Sequence, residues 1–280
     1  MQAIAYGIHA PNPHNTQAWK FKLTSDTEAL FYIDERRLLP VTDPPARQIH
    51  IGAGCCIETL AVGMSRHGYD TAVEYLPQGS HGLEQIGRKP VARIMLRPNA
   101  TTRADPLADA IGRRQTNRKP YTGPLLTAAE AEQLRGQVSS DEVEVLTRIW
   151  FRFNERQRRT HRDGLSIPQT GTDGLKRRLV EWTLRNGNPN HQSDWLKVGR
   201  AFARLQLALT QLGLTSHGYS QVLQEYPEMA KLQAEFNQLL GVRQPEKIQM
   251  AVRVGRAERA YVALRRDPQD LLIDSTPSSQ

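Results

Sequence analysis

Two stretches of this chain carry side chains dense enough in polar groups to hold a small molecule. The first, Ala10 to Phe21, reads Ala-Pro-Asn-Pro-His-Asn-Thr-Gln-Ala-Trp-Lys-Phe. Pro11 and Pro13 each fix φ near about −65° and push the preceding residue out of the helical region, which stiffens the loop. Asn12, Asn15 and Gln17 offer amide donors and acceptors suited to a flat heteroaromatic ligand, with no charge involved. A simple Pro/Asn turn leading into a strand has the same composition. The second stretch, residues 113–121, reads Arg-Arg-Gln-Thr-Asn-Arg-Lys-Pro-Tyr. Its guanidinium forks match the oxygens of a phosphate in pairs, and Thr116 adds a small donor. A solvated basic helix end offers the same residues to the helix dipole.

These stretches need a scaffold, and the hydrophobic periodicity supplies one. Period-two or β-prone runs predict strands at 18–23, 29–33, 91–97, 143–149 and 248–254. Helical patterns predict helices at 2–9, 48–67, 104–113, 127–135, 173–185, 194–213 and 226–240. The helix from 127 opens with Thr127 and Glu130, the spacing of a capping box, and should stop at Gly136. Along 194–213 the apolar stripe Trp195, Val198, Phe202, Leu205, Leu209, Leu212 ends at Gly213, a C-cap residue. Gly54, Leu60 and Gly68 each stand 145 positions before Gly199, Leu205 and Gly213. Read as a repeat, this offset divides the chain into two related halves, joined near the turn-rich residues 98–105.

Three motifs point to one family. The Ala10–Phe21 stretch resembles the Ala-Pro-Ser-x-x-Asn-x-Gln-Pro-Trp-x-Phe signature of the FMN-dependent nitroreductase superfamily, and His-Asn-Thr-Gln resembles its mycobacterial Acg-like branch. Asn12 stands where serine is usual, and Ala18 where proline is usual. Arg114-x-Thr116-x-Arg118 resembles the Arg-x-Ser-x-Arg element with which that superfamily binds FMN. Arg265-Arg266-Asp267-Pro268, shortly after the strand ending at Gly255, resembles its closing phosphate contacts.

The resemblance implies an α+β fold, a nitroreductase-like mixed sheet flanked by helices, with two diverged halves forming an internal pseudo-dimer. Residues 1–100 would be a first half, shortened at its N-terminus, and 101–280 the second, packed as one unit. One FMN per chain would lie between them. Pro11, Asn12, Asn15 and Gln17 would lie against the ring, Arg114 and Thr116 at the ribityl phosphate end, Arg118 at the N1 and O2 edge, and Arg265 or Arg266 on the phosphate. The implied reaction passes hydride from NAD(P)H through flavin N5 to a nitroaromatic, quinone or similar electron-poor acceptor. The alternative implied by the Acg-like branch is an FMN-sequestering protein without NAD(P)H turnover, with the polar stretch 154–174 as a cover over the ring.

Composition bounds the rest. A chain of 280 residues with 39% apolar content can bury a substantial core. Net charge +8 points to anionic partners. Only 6% aromatic residues and no zinc-knuckle spacing argue against nucleic acid. Cys55 and Cys56, adjacent on an apolar helix, read as buried small hydrophobes, consistent with a reducing compartment. With no apolar run of about 18 residues and no leader pattern, the expectation is a cytoplasmic protein, not membrane-bound, either a monomeric pseudo-dimer or a homodimer. No metal site is expected, and His14 reads as a loop-fixing residue. Ser166, Pro168 and Gln169 are candidates for a degenerate second copy of the Pro/Asn loop.

Overall fold

The structure, a computed structural model, describes residues 1–122, 124, 126–138, 144–150, 179–186, 190–218, 221–242 and 246–273. The 154–174 segment, with Ser166, Pro168 and Gln169, lies outside the described residues.

Two four-stranded antiparallel sheets organise the chain. The first contains β1 (Trp19–Leu23), β2 (Glu28–Ile33), β3 (Tyr69–Tyr75) and β4 (Ala92–Pro98), in the order β1-β2-β4-β3. The second contains β5 (Glu144–Trp150), β6 (Leu179–Asn186), β7 (Thr215–Gly218) and β8 (Lys247–Gly255), in the order β5-β6-β8-β7. Each sheet thus joins its first two strands as neighbours and places its fourth between its second and third. Phe21 on the outer strand of the first sheet bridges in parallel to Leu272, and Thr116 bridges to Ser216 on the outer strand of the second.

The helices are α1 (Gln2–Gly7), α2 (Arg47–Ser65), α3 (Ala128–Val138), α4 (Gln192–Gln211) and α5 (Ala230–Leu239). The centre of the molecule is the crossing of α2 with α4. A Cβ built on Gly54 would stand 2.0 Å from the Leu196 carbonyl oxygen, and one on Gly199 would stand 2.0 Å from that of Ile51. The contacts are reciprocal: residues 51 and 54 meet 196 and 199, each pair at the same offset of 145. Only glycine lets the two backbones approach so closely. Around the crossing Ile57, Leu60, Leu196, Leu205 and Ala208 are buried in a single core with Trp19, Phe21 and Phe31 from the first sheet and Val252 and Val254 from the second.

Polar ties reinforce this seam. Arg47, 1% exposed, donates from Nη1 to the Gln249 carbonyl at 3.0 Å and from Nη2 to the Leu223 carbonyl at 2.6 Å. Glu58 on α2 accepts from Arg200 at 2.6 Å and from Arg204 at 3.0 Å on α4, and Arg204 also reaches Asp105 at 2.8 Å.

Several expectations are corrected. Residues 179–186, expected at the end of a helix 173–185, form strand β6, because Val180, Trp182 and Leu184 alternate and β8 supplies a long antiparallel partner. β3 and β7 answer no predicted strand; both are sheet edges whose short sequences alternate weakly. The 104–113 helix is a 3-10 segment, Pro106–Arg113, started by Asp105 accepting from the Leu107 amide. The helix expected at 226–240 begins as a 3-10 turn, Pro227–Met229, before α5. Helix α3 has the Thr127–Glu130 capping box, with reciprocal bonds of 2.8 and 3.2 Å, but passes through Gly136, where the surroundings are open, to Val138. Gly213 does end α4 in the left-handed region at φ 66°. Cys55 and Cys56 are free and 1% exposed.

Candidate functional site

The Pro/Asn loop folds over the first turns of α2. A Cβ on Gly52 would lie 3.0 Å from Pro13 Cδ, so glycine lets the loop seat against the helix. His14, Asn15 and Gln17 adopt φ of 50°, 55° and 46°, three left-handed non-glycine residues within four positions. Each costs roughly 1–2 kcal/mol against a right-handed conformation, so the surrounding bonds must impose this shape. Asn12 supplies one: its Oδ1 accepts from the Gln17 amide at 2.9 Å while its Nδ2 donates to the Ala10 carbonyl at 3.2 Å. Gln17 Oε1 accepts from the Arg266 amide at 2.8 Å. The amides of Asn12 and Gln17 are therefore committed to bracing the loop, and Pro11 is buried beneath it.

The loop meets the third motif directly. Asn15 Nδ2 donates to the Leu264 carbonyl at 3.1 Å, and its Oδ1 accepts from Arg265 Nη1 at 3.2 Å. Arg114 arrives from the second motif, donating from Nε to the His9 carbonyl at 3.1 Å. Arg265 is a like charge acting on Arg114, and both guanidiniums act on His9. The three motifs thus converge on His9, Asn15, Arg114 and Arg265. Sequence reasoning missed His9, whose only signal is its place directly before Ala10.

Charge is unevenly compensated within this group. Arg266 has Asp34 at 3.6 Å and the Gln17 carbonyl at 3.0 Å. No carboxylate pairs with Arg114 or Arg265 among the described residues, and Arg114 Nη1 and Arg265 Nε are buried without a hydrogen-bond partner. Burial pulls the Arg114 pKa down to about 10, with Arg265 adding to the shift. Such a fall corresponds to roughly 3 kcal/mol against the charged form, yet the group remains protonated at neutral pH. Burial likewise lowers His9, with Arg265 and then Arg114 contributing. A buried and a half-buried cation, each with one unused buried donor and no acid, describe an anion site.

Arg118 lies apart from that group. It is exposed, and its backbone carbonyl accepts from Arg253 Nη2 at 3.2 Å. Thr116, also exposed, is fixed through its backbone bridge to Ser216. The element beside Arg118 is β7, where burial, then Arg253 and then Arg118 lower the His217 pKa to about 4. His217 is the second residue missed, since a lone histidine in a four-residue edge strand has no spacing to reveal it. Arg114 leaves the 3-10 segment with extended φ/ψ of −60° and 131°. Four residues of chain reach at most about 14 Å, an upper bound on the separation of the Arg114 and Arg118 backbones.

His217 yields a pH prediction. Its folded pKa lies below that of a free histidine, about 6.5, so the unfolded chain binds the extra proton first as pH falls. Stability is then complete above pH 6.5 and declines between about 6.5 and 4. Allowing for partial exposure, His217→Gln should remove on the order of 1–2 kcal/mol of this acid dependence, measured as the difference between urea unfolding at pH 7 and pH 5.

A cleft of about 440 Å³ elsewhere, lined by Ala61, Tyr69, Asp70, Asp105 and Arg204 among others, contains none of the candidate residues. Its carboxylates are already engaged, Asp70 by Asn99 and Thr102 at 2.6 and 2.5 Å, and Asp105 by Arg204.

Comparison with known proteins agrees with the motifs. No protein-family model matches the chain. A Mycobacterium tuberculosis protein provisionally named NAD(P)H nitroreductase acg is 32% identical over 145 residues, covering 51% of this chain and 42% of the relative. Over those 145 residues the chain is similar to an Acg-like nitroreductase. A second M. tuberculosis relative, provisionally named NAD(P)H nitroreductase Rv3131, is 28% identical over 152 residues, again 42% of its length. The match to those curated relatives spans less than half of each. A crystal structure from Anabaena variabilis, provisionally assigned as a nitroreductase, shares the fold with TM-score 0.54 at 12% identity, covering 82% of this chain and 69% of that one. No helix among the described residues is long and apolar enough to cross a membrane, and none of those residues forms a group of three or more potential metal ligands.

Proposed function

We propose that the chain binds one FMN along the seam between its sheets and acts as an NAD(P)H-dependent oxidoreductase. The observation that carries this is the acid-free pair of guanidiniums, buried Arg114 and half-buried Arg265, each with an unused donor next to the left-handed Pro/Asn loop. A dianionic phosphate satisfies both. When bound, FMN supplies two-electron hydride chemistry between a reduced nicotinamide and an electron-poor acceptor such as a nitroaromatic or quinone.

The chain's own residues bind and polarise. Arg114 and Arg265 take the phosphate, with Asn15 orienting Arg265. Arg266, already compensated by Asp34, braces the loop. Arg118, up to about 14 Å along the extended chain, takes the N1 and O2 edge of the ring, with Thr116 between. There a fixed cation favours the negative charge that the ring gains on reduction. Burial and the flanking arginines keep His217 neutral, so it adds no competing charge.

The internal pseudo-dimer belongs to the same reading. Matching strand order in the two sheets, the reciprocal contact of Gly54 with Gly199 and the offset of 145 support it. A site made from residues 9–17, 114–118 and 265 then draws on both halves, and one flavin per chain follows.

The absorption spectrum of purified protein tests the reading. A flavin spectrum at one equivalent per chain, bleached on mixing with NADPH or NADH under anaerobic conditions, is the expected result. Flavin that stays oxidised leaves a sequestering protein, and a colourless protein that takes up no added FMN removes both. Arg118→Gln should lower the flavin midpoint potential, by roughly 30 mV for each 1.4 kcal/mol of lost stabilisation, as read by spectroelectrochemistry.

A further inference from the structure

A second group of unpartnered atoms lies where α2, the β3–β4 connection and the first turn of α4 meet. His50 is completely buried and His81 is 9% exposed, with ring centroids 6.1 Å apart and planes at 39°. The edge of Trp195 closes over His50 at 5.3 Å, its own indole N–H committed to Asn190. His50 Nδ1 lies 2.7 Å from the Ala46 carbonyl. A carbonyl has no proton to give, so Nδ1 carries the hydrogen and donates, which leaves Nε2 as the lone-pair nitrogen of the neutral ring. That nitrogen is buried and meets no donor.

His81 has the same character. Both of its ring nitrogens are buried without a partner in hydrogen-bonding geometry, although the Gly79 carbonyl is near enough to favour its protonated form. Its backbone is held at two points by Gln192 of α4: the His81 amide donates to Oε1 at 3.2 Å and Nε2 donates to the His81 carbonyl at 2.9 Å. The His50 ring is thus held by the Ala46 carbonyl and the Trp195 edge and the His81 backbone by Gln192, yet the two imidazoles make no hydrogen bond to each other. A lone-pair nitrogen whose ring is oriented by a backbone carbonyl on its other side is the usual arrangement of a metal-ligating histidine.

We propose that His50 and His81 form a two-imidazole site for a monovalent d10 ion, Cu(I). The choice of ion follows from ligand count. No third histidine, cysteine, aspartate or glutamate joins the pair among the described residues. Zinc ordinarily takes four ligands in a closed site, whereas Cu(I) is content with two. Imidazole suits copper. The site is separate from the anion site and independent of the flavin reading. Burial raises the pKa of both Cys55 and Cys56, which keeps them protonated and disfavours them as competing ligands.

The test is an anaerobic competition between the full chain and bicinchoninate for Cu(I), read from the absorbance of the chelator complex. Wild-type protein should withdraw one copper per chain, and X-ray absorption of the product should show nitrogen neighbours and no sulfur. His81→Ala, which leaves the backbone clamp to Gln192 in place, and His50→Leu should each weaken uptake at least tenfold, with unchanged circular dichroism for His81→Ala. Copper left on the chelator by wild type, equal uptake by His81→Ala, or a sulfur neighbour would each overturn the proposal.

Discussion

Replacing Gly54 with alanine will cost about 4 kcal/mol or more and is expected to leave little folded protein. Overpacking normally relaxes by side-chain rotation at about 1–3 kcal/mol, but the new methyl would meet the Leu196 carbonyl oxygen at 2.0 Å and the Gly199 Cα at 3.0 Å, neither of which can rotate away. Relief requires α2 and α4 to separate, which opens the core on both sides of the crossing. Gly199→Ala should behave alike, since its methyl would meet the Ile51 carbonyl oxygen at the same distance. The double variant should cost less than the two single ones added together, because one displacement of the helices relieves both clashes. Gly136→Ala is the control: a Cβ there meets nothing within 4 Å, and on helix α3 it should be stabilising by roughly 0.5–1 kcal/mol. Urea unfolding of the three single variants, together with soluble yield, measures this. A Gly54→Ala protein within 1 kcal/mol of wild type would mean that the helices do not cross as described.

Arg114→Met is expected to move stability and binding in opposite directions. Without a ligand, Arg114 is a buried charge with no acid partner and an unused Nη1. Methionine of similar reach removes that desolvation cost and the repulsion from Arg265. The ligand-free variant should therefore melt higher than ligand-free wild type. Its affinity for FMN should fall on the order of 100-fold, as expected when charged hydrogen bonds worth about 1.5–3 kcal/mol each are lost. Thermal melts with and without FMN, and a fluorescence titration, read both effects. A variant that melts lower and still binds FMN normally would make Arg114 a structural residue and remove the phosphate assignment. Arg266→Met offers the contrast: it breaks the tie to Asp34 and the Gln17 carbonyl, so it should lower stability even in the ligand-free protein.

What could be read from the sequence follows from the range of the forces involved. Helix α4 was legible because its apolar stripe and terminal glycine are local signals, and β8 because its alternation is strong. β6 was misread, since Leu-Lys-Arg-Arg-Leu-Val-Glu-Trp carries a helical spacing and pairing to β8, some 70 residues onward, decides the outcome. The edge strands β3 and β7 are defined by their neighbours more than by their own residues. Within the candidate site the motifs were visible, but the division of labour was not. Asn12 and Gln17, which offer free amides on paper, spend them within the loop and on the Arg266 amide. Arg265 and Arg266 are indistinguishable in sequence, and only the position of Asp34, more than 200 residues earlier, separates them. His9 and His217 acquire their character from burial and, after it, from arginines that folding brings to them.

The unneutralised pair Arg114 and Arg265 also bears on how long the chain survives in a cell. A ligand that binds only the native state at a hundred times its Kd adds about 2.7 kcal/mol, and an anion at this pair would also relieve the uncompensated charge. Freshly synthesised chains would then be cleared fastest when flavin nucleotide is scarce, so vitamin supply would govern abundance as well as activity.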